Sequence, residues 1–164
     1  MTQNEYDELG QLIRKSVGGT DISGQSSLQK VDYHYNIRGW LKSINNIKEL
    51  TQSSDPTDLF AFKIMHNQVE HEFGGEVKPL FNGNISQTFW KTDSDNVSRS
   101  YGYKYDDLNR LPKAIYQRDK EVTHSYDETL AHDKNGNITD LSYSIHQDNN
   151  RLLPAIQIDV VLFE

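Results

Sequence analysis

Short segments in which apolar and polar residues alternate recur along the chain, and turn-forming residues follow them. The alternation is clear over Tyr101–Tyr105 and over Leu141–Ile145, and the first of these segments precedes Asn109. A period of two is typical of a strand with one buried face. Gly and Asn tolerate the positive φ that tight hairpin turns require. The pattern therefore predicts an all-β fold built from successive antiparallel β-hairpins.

Six copies of one short unit emerge when the chain is aligned at these turn residues. They lie near residues 6–19, 35–46, 81–92, 105–117, 132–145 and 146–157, with the turn at Gly10, Gly39, Gly83, Asn109, Gly136 and Asn150. An aliphatic residue stands two positions after each turn: Leu12, Leu41, Ile85, Leu111, Ile138 and Leu152. The third copy is shorter than the others and the last is degenerate. We expect these aliphatic residues to form a column along one face of the sheet.

An Asp or Asn stands three residues before several of the turn positions. These residues are Asp7, Asn36, Asp106 and Asp133. Such a side chain accepts hydrogen bonds from the amides of its own turn. We interpret each copy as a strand, a capped two-residue turn and a returning strand, with Asn135-Gly136 as the reversal of the fifth copy. Because a single hairpin is too small to be stable in water, the copies are expected to stack into one sheet.

The copies at Tyr6–Leu12 (YDELGQL) and Tyr105–Leu111 (YDDLNRL) resemble the YD repeat of RHS-type proteins. The resemblance extends from about Tyr6 to about Ile156. Members of that family build long curved sheets of hairpins, which spiral into hollow shells around a toxic C-terminal polypeptide. The resemblance therefore implies that residues 1–164 form a single YD-repeat β-domain, a curved, repeat-stacked sheet that makes an open arc of an RHS-type β-shell.

The same resemblance implies a function and a location. The expected function is that of a non-enzymatic structural or scaffold segment, associated with toxin encapsulation or delivery in a secreted or cell-surface protein. The implied partner is the C-terminal toxin polypeptide of a longer homologue. Family members also carry an Asp-Pro-x-Gly-Leu self-cleavage motif. Because Asp55–Leu59 has Asp58 where that motif has Gly, we assign no catalytic residue to it.

Two segments fall outside the repeats. Residues 48–58 are expected to be a linker that holds a helical turn or is mobile. The apolar tail from Ile156 to Glu164 is interpreted as a strand. Exposed sheet edges pair readily with other chains, so self-association through the edges is expected.

Composition and charge narrow the possible partners. Hydrophobic residues make up 35% of the chain and include nine Tyr and six Phe, which suit half-buried sheet faces. The net charge of −7 disfavours a nucleic-acid partner, since such binding depends on clustered Lys and Arg. The absence of Cys removes thiol chemistry and zinc thiolate sites. The N-terminal MTQNEYDELG is not typical of a signal peptide, and no membrane span is expected.

The segment from Asp133 to Ser144 is a candidate calcium loop, because Asp133, Asn135 and Asn137 place oxygen-bearing side chains two residues apart. An EF-hand loop needs Gly at its sixth position and Glu at its twelfth, and these positions hold Ile138 and Ser144. The sequence therefore favours a hairpin turn over a calcium site in this segment.

The densest ionisable cluster is HNQVEHEFGGE, from His66 to Glu76. Imidazole and carboxylate groups bind zinc, but the HExxH helix pattern is absent. We expect a polar strand followed by a turn at Gly74-Gly75. No metal ion, cofactor or catalytic residue is predicted.

Aromatic residues provide an alternative function. Trp40, Trp90, Tyr101 and Tyr103, with Tyr116 and Tyr143, would form a sugar-binding face if their rings lay open on the sheet. The competing interpretation is that the rings form cross-strand ladders that hold the hairpins together. A carbohydrate- or partner-binding β-module is therefore the alternative to the scaffold function.

Overall fold

The computed structural model describes residues 2–20, 26–52 and 55–145, together with the backbone of 156–159. This part of the chain contains twelve strands and no helix. The strands are β1 (Thr2–Tyr6), β2 (Leu12–Val17), β3 (Gln29–Tyr35), β4 (Leu41–Ile44), β5 (Phe60–Met65), β6 (Gln87–Thr92), β7 (Arg99–Lys104), β8 (Lys113–Arg118), β9 (Glu121–Val122), β10 (Glu128–His132), β11 (Ile138–Tyr143) and β12 (Ile156–Asp159). The predicted all-β class is confirmed.

The strands pair antiparallel in one open sheet. Hydrogen-bonded neighbours follow chain order from β1 to β8 and continue through β10, β11 and β12, while β9 also pairs with β8. This order is the one that successive hairpins produce, because each strand reverses onto its predecessor. The chain divides into two compact units, one formed by residues 1–64 and 89–98 and the other by residues 65–88 and 99–164.

In the first unit, the hairpins β1-β2 and β3-β4 have matching registers. Tyr6 lies opposite Leu12, and Tyr35 lies opposite Leu41, each beside a local shift of register. Every residue of β1 is exposed, so this edge strand is held by its backbone ladder rather than by apolar burial.

The segment between β4 and β5 is folded against the first unit over its described residues. A single hydrogen-bonded turn joins Glu49 N to Asn46 O, and no helix forms. Leu50 and Asp58 are buried, and Asp58 N donates to Leu50 O at 2.8 Å. Lys30 also forms an ion pair with Asp55 at 2.5 Å. Burial of side chains and ion pairing thus hold in place the described residues of 48–58, the segment that the sequence predicted to be a linker.

The second unit has its apolar core on the strand pair β7-β8. Phe73, Val77 and Ile115 form a buried cluster, with Val69 and Val122 packed against it. Three of these five residues come from the long connection between β5 and β6. The expectation of a polar strand in this region was wrong, because no strand lies between Met65 and Gln87. The predicted turn is present, with positive φ at Gly74 and Gly75 and a hydrogen bond from Glu76 N to Phe73 O.

Buried polar side chains hydrogen-bond the connection between β5 and β6 to the neighbouring strands. Gln87 accepts from Glu70 N at 2.7 Å and donates to His71 O at 2.5 Å. Ser86 Oγ donates to Gln68 O at 2.7 Å. Gln117 Oε1 accepts from Ser100 Oγ at 3.0 Å and from His71 Nδ1 at 2.8 Å. These hydrogen bonds avoid a desolvation cost of about 1–3 kcal/mol for each buried group that would otherwise lose its partner.

The six predicted copies have different outcomes. The copies with turns at Gly10, Gly39, Asn109 and Gly136 each have a strand before and after the turn. The copy near 81–92 is not a hairpin, since no strand leads into Gly83 and β6 begins only at Gln87. The copy with its turn at Asn150 lies outside the described residues.

The predicted aliphatic column stays a prediction. Leu12, Leu41, Ile85 and Leu111 are half-buried, whereas Ile138 is exposed. Leu152 lies outside the described residues. The burial of these residues is therefore not uniform from copy to copy.

Candidate functional site: the repeated turn and the aromatic surface

The four hairpin copies share one turn, built on an Asp or Asn side chain. In the first, Asp7 Oδ1 accepts from Leu9 N at 2.9 Å and from Gln11 N at 2.8 Å. The backbone of Asp7 also donates to Gln11 O and accepts from Gly10 N. One carboxylate oxygen thus satisfies two amides that the reversal would otherwise leave without a partner.

The same set of four hydrogen bonds recurs in the other three turns. Asn36 Oδ1 accepts from Arg38 N at 2.9 Å and from Trp40 N at 3.0 Å. Asp106 Oδ1 accepts from Leu108 N and from Arg110 N, both at 2.9 Å. Asp133 Oδ1 accepts from Asn135 N at 2.8 Å and from Asn137 N at 2.9 Å. The two backbone bonds repeat in each case. The recurrence follows from sequence, because the acceptor residue always precedes the positive-φ residue by three positions.

The turn is not the predicted two-residue reversal at Asn135-Gly136. The closing bond runs from Gly136 N to Asp133 O, so Lys134 and Asn135 are the two central residues. Gly136 follows them with a φ of +88°, and the register shifts between Ala131 and His132. A turn followed by a left-handed residue in a bulge is the usual three-residue hairpin loop. Gly or Asn is needed at the bulge position because other residues resist positive φ.

Hydrogen bonding stabilises the charged form of two of the turn carboxylates. The side-chain amide of Asn137, followed by backbone amides of the turn, lowers the pKa of Asp133. The backbone amide and side chain of Arg110 likewise lower the pKa of Asp106. These oxygens bind their own turns, as Asp133 Oδ2 does in accepting from Asn137 Nδ2 at 2.9 Å. Among the described residues, no group of three or more His, Asp or Glu is placed to hold a metal ion.

The ionisable cluster from His66 to Glu76 is separated by its contacts. His66 Nδ1 donates to Asn84 O at 3.1 Å, and His71 Nδ1 faces Gln117. Glu76 accepts from Lys104 Nζ at 3.0 Å and from Lys113 Nζ at 3.2 Å, which lowers the pKa of Glu76. The cluster thus joins neighbouring segments of the second unit.

Tyrosine rings form a contiguous ladder on the second unit. Tyr101 stacks on Tyr103 with a centroid separation of 6.2 Å and contacts Tyr116 edge-on at 5.5 Å. Tyr116 contacts Tyr126 edge-on at 5.1 Å. The Tyr101 hydroxyl donates to Tyr126 O at 2.8 Å, and the Tyr103 and Thr88 hydroxyls are hydrogen-bonded. Burial raises the pKa of Tyr101. Tyr101 and Tyr103 therefore hold strands together.

The two tryptophans lie in the first unit. Trp40 is 38% exposed, and the Arg38 guanidinium stands 5.3 Å from its ring centroid. Trp90 is half-buried on β6. Of the predicted aromatic residues, Trp40 is the most exposed.

An open groove of about 720 Å³ lies beside the tyrosine ladder. Its walls include the basic residues Arg99, Arg118 and Lys120, and the exposed ring of Tyr126. The sequence analysis missed these residues because they come from separate strands and loops, and no spacing pattern joins them. The alternating aromatic pattern predicts only Tyr101 and Tyr103 of β7.

Comparison with protein-family models and with curated proteins gives no match for this chain. In the described residues there is also no helix of the length and apolarity needed to cross a membrane.

Proposed function

We propose that the chain is a structural segment of an RHS/YD-repeat protein, in which successive capped hairpins extend a β-sheet wall. The observation that carries this proposal is the fourfold recurrence of one Asx-capped turn, at Asp7, Asn36, Asp106 and Asp133. A turn that fixes the same reversal and register each time is what a repeat-built sheet requires.

The chemistry of the turn supports this role over a binding role. In each copy, the Asp or Asn oxygen that would attract a cation or a sugar hydroxyl already accepts two backbone amides. The acceptor oxygen of each turn is thus already occupied by amides of the same turn. Its function is to shape the sheet, and the proposed role in toxin encapsulation or delivery follows from the resemblance to the family.

The test is to identify the polypeptide encoded directly downstream and to co-express it with this chain. The proposal expects a toxin-like C-terminal polypeptide that co-purifies and resists added protease. A downstream polypeptide that neither binds nor gains protection would contradict the role in encapsulation.

Self-association through sheet edges is part of the proposal. Strand β1 is the first in the sheet order and pairs only with β2 among the described strands, and all of its residues are exposed. Its outer backbone groups are therefore open to another strand. Light scattering over a concentration series tests this expectation, and a monomer at every concentration would contradict it.

Trp40 favours a second candidate function, a glycan-binding module. An exposed aromatic ring with a neighbouring guanidinium offers a stacking surface and hydrogen-bond donors to a sugar. Glycan-array screening tests it, with loss of signal expected for Trp40→Ala. The fully exposed Ile37 gives the matched control Ile37→Ala.

A further inference from the structure

A second groove, of about 440 Å³, lies in the first unit over strands β3, β4 and β5. Four of its lining residues carry basic side chains and none is acidic. The basic residues are His34, Lys42, Lys48 and Lys63. The whole chain has 24 acidic residues against 17 Lys and Arg, so an acid-free basic groove contrasts with the rest of the molecule.

The strand register aligns part of this groove. His34 lies opposite Ser43, and Ser43 lies opposite Lys63. Directly opposed residues on adjacent strands share a face of the sheet and stand about 5 Å apart. A ring nitrogen and a hydroxyl therefore come from two adjacent strands in one row. Lys63 of the third strand adds an ammonium group, whose Nζ stands 5.6 Å from the centroid of the Phe89 ring.

The loop after β4 completes the groove and is held in place by Asn45. The Asn45 side chain accepts from Asp32 N at 2.7 Å and donates to Phe60 O at 2.8 Å, with a backbone φ of +56°. The next residue, Asn46, accepts from Lys48 N at 3.1 Å. These bonds set the course of the loop that carries Lys48 before any ligand arrives.

Two carboxylates of the first unit, Asp32 and Asp55, are paired with other cations. Asp32 accepts from Arg14 at 2.6 and 3.1 Å, and Asp55 pairs with Lys30. Neither Lys42 nor Lys48 forms an ion pair within residues 2–20, 26–52 and 55–145. A cleft lined by one sign of charge concentrates counter-ions of the opposite sign. The side chains that line the groove thus include several cations and no carboxylate.

We propose that this groove binds a phosphate-type oxyanion carried by a small soluble molecule. Lysine ammonium groups bind phosphate as point charges, and the Ser43 hydroxyl and Asn46 amide supply neutral donors. Several cations across one open groove suit two linked phosphate groups better than a single carboxylate. Because the groove is open to solvent, binding weakens as salt concentration rises.

The experiment titrates the isotope-labelled chain with pyrophosphate and follows backbone amide shifts by NMR at constant ionic strength. Saturable shifts are expected at residues 34, 42–48 and 63. The double variant Lys42→Gln/Lys48→Gln should weaken binding about tenfold, as expected for the loss of two exposed charge contacts. The matched control is Lys78→Gln/Lys134→Gln, which removes the same charge from two exposed lysines of the other unit.

Three further ligands, namely acetate, inorganic phosphate and phosphatidylglycerol vesicles, decide the result. Acetate at equal charge should give no saturable shift, and inorganic phosphate should bind more weakly than pyrophosphate. Capture of the chain by phosphatidylglycerol vesicles without pyrophosphate binding would overturn the proposal, because the ligand would then be a lipid surface. Absence of saturable binding, or equal weakening by the control variant, would overturn it as well. A thermal melt of each variant verifies that the fold is intact.

Discussion

Gly102 of β7 lies directly against the ring of Phe73. A Cβ placed on Gly102 would approach Phe73 Cδ2 to 2.7 Å and Val77 Cγ2 to 2.6 Å. The missing side chain therefore creates the space that the connection between β5 and β6 fills, and it allows the buried cluster with Ile115 to form.

Gly102→Ala is expected to destabilise the protein by about 1–3 kcal/mol, since the added methyl group overpacks a filled site. Chemical denaturation gives the free energy of unfolding. Val77→Ala in the same chain removes one of the clashing groups, so the double variant should lose less than the sum of the two single losses. Strict additivity would show that the two residues do not compete for space.

Asn36→Ala is expected to lower the free energy of unfolding by about 1 kcal/mol, because the amides of Arg38 and Trp40 lose their common acceptor. Ile37→Ala changes an exposed residue of the same turn and should be close to neutral. Asn36→Asp retains the acceptor oxygen and should restore most of the stability. Equal effects of the two alanine variants would contradict the capping role.

Asp58→Asn is expected to stabilise the protein at pH 7 and to have little effect near pH 4. Burial, together with the charges of Asp32 and Asp55, raises the pKa of Asp58 from 3.8 to about 6. The folded state thus binds a proton that the unfolded state has released, and this contribution is complete below pH 3.8 and lost as the pH rises through 6.

The gain at pH 7 is expected to be about 1–2 kcal/mol, after solvent screening reduces the value implied by the shift. Denaturation series at several pH values measure it. Asp107→Asn removes the same charge from an exposed turn and serves as the control. A pH-independent gain shared by both variants would point to net charge rather than to burial of Asp58.

Gln117→Leu is expected to cost about 1–3 kcal/mol, since it leaves the buried Ser100 hydroxyl and His71 without their acceptor. Adding Ser100→Ala removes one of these orphaned groups and should recover part of the loss. The free energies of unfolding of both variants measure the effect. No recovery in the double variant would indicate that packing, rather than the hydrogen bonds, explains the cost.

The hairpin turns were accessible to sequence reasoning because their chemistry is local. Each turn needs an acceptor side chain and a residue with positive φ, and four consecutive residues supply both. In the first turn, Asp7 is the acceptor and Gly10 has the positive φ. The bulged form of the turn was missed, because a Gly after Asn predicts either of two loop types that only the register distinguishes.

The core of the second unit could not be predicted in the same way. Val69, Phe73 and Val77 stand four residues apart, a spacing typical of a helix, among charged residues that suggested a polar strand. Gly74 and Gly75 interrupt any helix, and the segment is held by side chains on distant strands, such as Gln117. The candidate groove at Lys42 and Lys63 was missed for the same reason, as its residues meet only through strand pairing.

The sequence by itself determined the all-β class and the four capped turns that begin at Asp7, Asn36, Asp106 and Asp133, because strand alternation and turn capping depend on neighbouring residues alone. Tertiary structure decided which apolar residues form the core, which copies become hairpins, and where the basic side chains converge. Those outcomes depend on contacts between residues far apart in sequence. Gly102 illustrates the difference, since the need for a residue without a side chain arises only because Phe73 packs against this position.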